Sequence, residues 1–214
     1  MGIESQPVSA RAYRALEKMI VTLELAPGSI VTERVLIEKL SLGRTPVREA
    51  IQRLALEGLI GIRPRAGLEI APLHAADWLR VLDARRGVEI VLARSAARFL
   101  TPDTAALFQA AAVAMHQAVL AGDVTGFLAA DRSLDEALAR AGDNEFAARV
   151  AAPLQTHSRR FWYRFQSGTG LAESAGNHVT LIRAILERDE ERAGEEAGRL
   201  MSLLRLQAQA AAMR

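Results

Sequence analysis

Along the first third of the chain, apolar residues recur at helical spacing and then at a spacing closer to two. Tyr13, Leu16, Ile20 and Leu23 mark one face of a helix over residues 8–25 that stops at Ala26-Pro27-Gly28. Thr32 precedes ERVLIEKL and can cap a second short helix, which Ser41-Leu42-Gly43 ends. A third helix opens at Arg44, with Pro46 in its first turn, where a missing N–H costs nothing. Gly58, following Glu57, is placed to end that helix in the left-handed region. Beyond it, LIGIRPRAGLEIAPL holds two short apolar runs, Leu59 to Ile62 and Leu68 to Ile70, around Arg63-Pro64-Arg65-Ala66-Gly67, which predicts a small hairpin. Three helices and a two-stranded wing form the layout of a winged helix-turn-helix.

From Leu73 onward no strand pattern returns. The spacing predicts helices over 75–100, 104–121, 124–141, 144–165 with a break at Pro153, 171–188 and 190–212. Thr101-Pro102, Asp123, Asp143 and Asp189 serve as start signals. The expected fold is therefore mostly α. An N-terminal winged helix-turn-helix (residues 1–72) is followed by a C-terminal all-α antiparallel helical bundle (residues 73–214).

Composition agrees with packed helices: half of the residues are hydrophobic and only 5% aromatic. The 27 Lys and Arg against 25 Asp and Glu leave a net charge of +2, so a polyanion partner has to be argued from local patterning. With no cysteine, the chain has no disulfide framework, thiolate metal site or cysteine nucleophile. MGIESQPVSARAYRAL carries charge too early for the apolar segment of a leader, and no later stretch looks like 18 uncharged apolar residues. These features point to a cytoplasmic protein with no membrane partner.

Stepping about 100° per residue along the third helix puts Val47, Ala50, Ile51 and Leu54 on one side. Thr45, Arg48 and Gln52 form a narrow stripe away from it. A cation, an amide and a hydroxyl near a helix N-terminus are the groups that read base edges and hold phosphates in a major groove. Between Arg44 and Arg65 five arginines (44, 48, 53, 63, 65) face two glutamates (49, 57), and the wing tip can bring a cation to the adjacent minor groove or to phosphate.

In the helical part, charged residues interrupt apolar stripes. Arg85 and Glu89 fall within the stripe of Trp78, Val81, Leu82, Leu92 and Ala96. Asp131 and Asp135, one turn apart, lie beside Phe127, Leu134 and Leu138, and His178 projects among Leu181, Ile182 and Ile185. Charges pointing into a bundle lose several kcal/mol of hydration each unless paired or ligated. They form either internal salt bridges such as Arg85 with Asp131, or a polar cavity for a small ligand. In THSRRFWYRF, residues 156–165, Leu154, Phe161 and Phe165 share a packing face flanked by Trp162, while Arg160, Arg164 or His157 are candidates to line that cavity.

Residues 26–72, and RTPVREAIQRLALEGLI above all, resemble the DNA-binding domain of the GntR family of bacterial transcription regulators. The resemblance places Arg34, Arg44, Thr45, Arg48, Arg65 and Gly67 on the family's DNA-contact positions, to which the stripe adds Gln52. Two departures stand out: Ser41 replaces the usual turn glycine, and Gly43 replaces the usual Ser or Thr cap. Residues 77–206, with ARRGVE, FLAADRSLDEALARAGDNEF and HVTLIRAILERDEERAGEEA, resemble the FadR-like subfamily with its helical FCD-type effector-binding domain. Many members hold a divalent metal on one Asp and three His; the corresponding residues here are Asp131, Asp135, His178 and Leu200. Asp can still coordinate a hard divalent cation, but Leu200 coordinates nothing, so this is a degenerate metal site: no cofactor is certain, and a divalent metal stays open.

The expected function is a DNA-binding repressor or other transcription regulator and not an enzyme. A homodimer on a palindromic double-stranded operator would match two-fold symmetry to two half-sites. A small-molecule effector, an organic or sugar acid, would bind Arg85 as a carboxylate clamp, with Asp131, Asp135 and His178 as hydrogen-bonding partners. Two other readings stay open: an effector-independent regulator with a structural bundle, and a metal-dependent helical enzyme using Asp131, Asp135 and His178.

Overall fold

A computed structural model describes residues 7–166 and 170–213. The first six residues, on which the argument against a leader partly rests, lie outside the described residues. The chain divides between His74 and Ala75 into two compact units.

The first unit runs α1 (Val8–Val21), β1 (Ile30–Val31), α2 (Glu33–Leu40), α3 (Arg44–Leu56), β2 (Ile60–Arg63) and β3 (Gly67–Ile70). Its core joins the apolar faces of the helices to the inner face of the sheet through Leu16, Ile20, Leu36, Val47, Leu54, Leu59 and Ile70, all at 0% exposure. α1 is shorter than its apolar spacing predicts, because Leu23 turns left-handed (φ 59°) and the Leu25 N–H returns to the Met19 carbonyl at 3.0 Å. Thr32 caps α2 by accepting from the Val35 N–H at 3.3 Å. Ser41 ends that helix at φ 52°, a conformation costing a non-glycine residue about 1 kcal/mol.

The wing has three strands in the order β1-β3-β2, not two. β1 pairs antiparallel with β3, Ile30 opposite Glu69 and Val31 opposite Leu68. Gly67 makes this possible: at φ 120° a side-chain carbon there would stand 2.8 Å from the Val31 carbonyl oxygen.

The second unit contains α4 (Ala75–Arg98), α5 (Pro102–Ala121), α6 (Val124–Ala141), α7 (Glu145–Phe165), α8 (Gly170–Leu186) and α9 (Glu190–Ala212). α4 is the central helix, packed on α6, α7, α8 and α9, while α5 packs on α6 and α8. Caps fall where the sequence signals them at Thr101, Asp123 and Asp189. For α7 the cap is Asn144, accepting from the Ala147 N–H at 3.0 Å, because Asp143 itself turns left-handed. The break expected at Pro153 is absent: α7 runs through it. The carbonyl that Pro153 leaves without its helical donor belongs to exposed Arg149, where water can satisfy it.

α5 also corrects the expectation about apolar stretches, since its mean hydropathy of 1.3 over an 18-residue window makes it long and apolar enough to cross a membrane. Its buried residues Phe108, Ala111, Met115 and Ala118 face the neighbouring helices of the bundle.

Candidate functional site

In the first unit, α3 divides as its periodicity predicts. Val47, Ala50, Ile51 and Leu54 are buried, and Arg44, Thr45, Arg48 and Gln52 are exposed. Gly43 stands at the N-cap with no side-chain hydrogen bond, so the first N–H groups of α3 remain open to an acceptor. Arg44 and Arg48 converge on Glu33 of α2, Arg48 Nε donating at 2.7 Å and Arg44 lying 3.9 Å away. These three, with Arg34 and Glu38, line an open groove between α2 and α3. Arg34 is exposed and pairs with Glu38 at 3.2 Å.

The remaining arginines split. Arg53 is part of the scaffold: its guanidinium carbon lies 3.8 Å from the Tyr13 ring centroid, and both Arg53 Nε and the Tyr13 hydroxyl donate to Glu57. Arg63 pairs across the wing with Glu69. Arg65 sits exposed at the wing tip with φ 65°. Gly67 has a steric reason to be glycine that is independent of any ligand.

In the second unit, Arg85 and Glu89 of α4, Asp131 and Asp135 of α6, Arg159 and Gln155 of α7 and His178 of α8 are all buried and in contact. Arg85 Nε donates to Glu89 at 2.7 Å, and Gln155 donates to the same carboxylate oxygen at 2.9 Å. Arg85 also lies 3.8 Å from Asp135. The expected Arg85–Asp131 pair is not the one formed. Asp131 instead takes His178 Nε2 at 2.9 Å and Arg159 Nη1 at 3.4 Å, while Arg159 Nη1 also contacts Asp135. Beside these groups, Phe127 packs against Trp162 (5.0 Å between centroids) and edge-on to His178 (5.7 Å).

The ring of His178 is fixed by its two partners. Nδ1 lies 2.7 Å from the Ser174 carbonyl, which only accepts, so Nδ1 carries a proton. Burial alone pulls the imidazole pKa down, but the hydrogen bond and charge of Asp131 and the Ser174 carbonyl outweigh it and raise the value above normal. Burial likewise opposes ionisation of Asp131, yet His178, Arg159 and Arg85 hold its carboxyl well below the ordinary range. For Asp135, burial and the neighbouring Asp131 charge win over the two arginines and push it up to about 7.

Two family models cover most of the chain. Residues 8–70 match the bacterial regulatory proteins of the gntR family, and residues 80–203 match the FCD domain. The chain belongs to the GntR family. Its second family model is the FCD domain, and the relatives it matches carry the names of transcription regulators. It is 36% identical over 97 residues to the HTH-type transcriptional repressor RspR of Escherichia coli, a match spanning 45% of this chain and 42% of RspR. An HTH-type transcriptional regulator of Agrobacterium vitis is 33% identical over 130 residues, 59% of this chain and 76% of that protein. Among solved structures, Escherichia coli McbR/YncC superposes with a TM-score of 0.80 at 20% identity, covering 96% of this chain and 99% of the other, a likeness of fold.

Among GntR regulators with an FCD domain, the positions of Asp131, Asp135, His178 and Leu200 imply a divalent cation, but the residues present do not fit one. Both carboxylates are engaged by Arg159, and His178 Nε2, the nitrogen that would ligate, points at Asp131. Leu200 has no donor atom.

Of the four residues expected to meet an effector, Arg85, Asp131 and His178 line a cavity of about 20 Å³ together with Ser158, Arg159 and Trp162. Asp135 lies behind them, joined through Arg159. α7 does not send His157, Arg160 or Arg164 to this cavity. Arg160 is buried elsewhere, with its pKa lowered to about 10 by burial, and Arg164 is exposed over Phe165. Arg159 is the residue that the sequence pattern missed. The signal for it is the series Ala151, Gln155, Ser158, Arg159 and Trp162 at helical spacing, all buried but mostly polar.

Proposed function

We propose that this GntR regulator binds a palindromic operator as a homodimer and inserts α3 of each copy into successive major grooves. The observation that carries this reading is the exposed ridge of Arg44, Thr45, Arg48 and Gln52 at the open N-terminus of α3. Arg34 at the groove edge and Arg65 with Gly67 in the wing extend the contact to phosphate and the minor groove. One short helix per subunit offers little contact, and two half-sites supply the area that specific operators require. Such a protein works in the cytoplasm, as a repressor where its operator overlaps a promoter.

Arg48 reads a base or phosphate after exchanging Glu33 for DNA, an exposed pair that costs little to break, about 0–1 kcal/mol. Arg48→Ala therefore weakens binding to an operator selected from random DNA at least tenfold in an anisotropy titration, at unchanged melting temperature. Unchanged affinity and base preference would remove Arg48 from the reader and overturn this assignment.

The second unit is the effector domain in this reading. Arg85, Asp131, Asp135 and His178 form the polar centre to which a small organic or sugar acid would bind, shifting the populations of arrangements that favour or disfavour operator spacing. A second reading has a specific observation in its favour. The cavity has room for about one water, and its charged groups already pair with one another, as in a structural bundle with no effector. Screening organic acids, sugar acids and amino acids by thermal shift separates the two: a specific ligand at 100 times its Kd adds about 2.7 kcal/mol of stability. A screen in which no acid moves the transition or releases the operator favours the structural bundle.

A further inference from the structure

We propose that the guanidinium of Arg159 occupies the place of a metal ion in this bundle, holding Asp131 and Asp135 together and excluding a divalent cation. The inference does not depend on the effector reading, since it concerns the resting bundle alone.

Asp131 and Asp135 lie one turn apart on α6 and are both buried, so their carboxyl groups crowd each other away from water. A positive group between them relieves the repulsion. Arg159 supplies it: Nη1 meets Oδ2 of Asp131 at 3.4 Å and Oδ2 of Asp135 as well. Its other terminal nitrogen, Nη2, donates to Thr156 Oγ1 at 3.1 Å on the same helix, which fixes the plane of the group.

The outer oxygens are also engaged, Asp131 Oδ1 by His178 Nε2 at 2.9 Å and Asp135 Oδ1 facing Arg85 Nη2 at 3.8 Å. A cation entering here would have to displace a guanidinium that is tethered to the chain and cannot diffuse away. It would then sit beside two arginines while finding few free lone pairs. Leu200 offers no donor atom, and the buried guanidinium supplies beside the two carboxyl groups the positive charge that a metal ion would carry.

The test uses the full chain purified without chelator, with Mn²⁺, Ni²⁺ or Zn²⁺ alone as probe. The wild-type protein contains well under one equivalent of metal by elemental analysis, and none of the three ions raises its melting temperature. In Arg159→Ala, or in Arg159→Gln, which keeps most of the volume but not the charge, the melting temperature falls without metal. A saturating divalent ion raises it again by at least about 5 °C with near-stoichiometric binding. Arg159→Lys keeps a cation and stays insensitive to metal.

Stoichiometric tightly held metal in the wild type would overturn the proposal without any variant being needed. So would folded Arg159→Ala and Arg159→Gln proteins that bind metal no better than wild type. If either variant folds only with a divalent ion present, the metal has taken over the role of the guanidinium and the proposal stands.

Discussion

Arg48 and Arg159 are the same residue in opposite circumstances. Arg48 lies on an exposed helix face with Glu33 as its acidic partner, and that pair is open to water. Arg159 is almost wholly enclosed, between two carboxyl groups and a hydroxyl. An exposed pair contributes little and exchanges easily, so Arg48 is held in place and yet available to a phosphate or a guanine. The buried one has no such freedom. Its pairing offsets a desolvation cost of several kcal/mol, and removing one partner leaves a charge in a medium that cannot solvate it. Availability to a ligand is therefore set by surroundings rather than by residue type.

The comparison is broken most directly by truncating an acid in the buried set. Asp131→Ala leaves His178 without its carboxylate and Arg159 with one acid fewer, and it should cost the bundle about 3–5 kcal/mol in urea denaturation. The matching change in the first unit, Glu33→Ala, should cost under about 1 kcal/mol. Equal losses at the two positions would mean that the cluster is as hydrated as the surface pair.

A smaller effect appears in the pH dependence. The pKa of His178 is raised on folding above its ordinary 6.5, so its contribution to stability is fully present below pH 6.5 and is lost as pH rises through the folded value. Asp131, with a lowered pKa, behaves oppositely: its contribution is present above 3.8 and is lost as pH falls toward the folded value. Asp135, raised from 3.8 to about 7, loses its contribution as pH rises from 3.8 through about 7. Beyond the titration of Asp135, a decline that continues as pH rises toward the raised value of His178 belongs to the imidazole, with a slope of at most about 1.4 kcal/mol per pH unit. His178→Gln should flatten that limb and, because His178 is the foremost of the groups that hold Asp131 low, also shrink the acid limb, as read from urea midpoints across the range. An unchanged alkaline limb would show that the imidazole is already neutral in the fold.

The two faces of α3 were legible in the sequence because its apolar and polar positions separate cleanly. Val47, Ala50, Ile51 and Leu54 define the phase of α3, and the exposed stripe follows from it. The bundle site was only partly legible. Arg85, Asp131, Asp135 and His178 interrupt otherwise apolar stripes and so betray their burial. Arg159 belongs to a stripe, Gln155, Ser158, Arg159 and Trp162, whose burial depends on partners from other helices, so hydropathy assigns it no side. β1 escaped for a different reason. Two residues make no alternating pattern, and Ile30 and Val31 become a strand only because Leu68 and Glu69 lie alongside and Gly67 lets the backbones approach.

The finest distinction between the two settings concerns a group that is absent. Gly43 caps α3 with φ −64° and ψ 158°, a conformation open to any residue. A side-chain carbon there would meet the Pro46 ring at an ordinary 3.7 Å. Gly43→Ser therefore fits without strain, and a serine cap exceeds a glycine cap by only a few tenths of a kcal/mol, roughly 0.3, in helix stability. If the open N-terminus of α3 faces phosphate, the added hydroxyl also donates to it, and a net hydrogen bond of about 0.5–1.5 kcal/mol tightens operator binding roughly threefold or more. The gain should be the same on operator and on unrelated DNA, because a phosphate contact carries no sequence information. A gain confined to the operator would place residue 43 against a base edge. A stability increase with no change on either DNA would place the α3 N-terminus away from the duplex and move the reading surface toward Gln52.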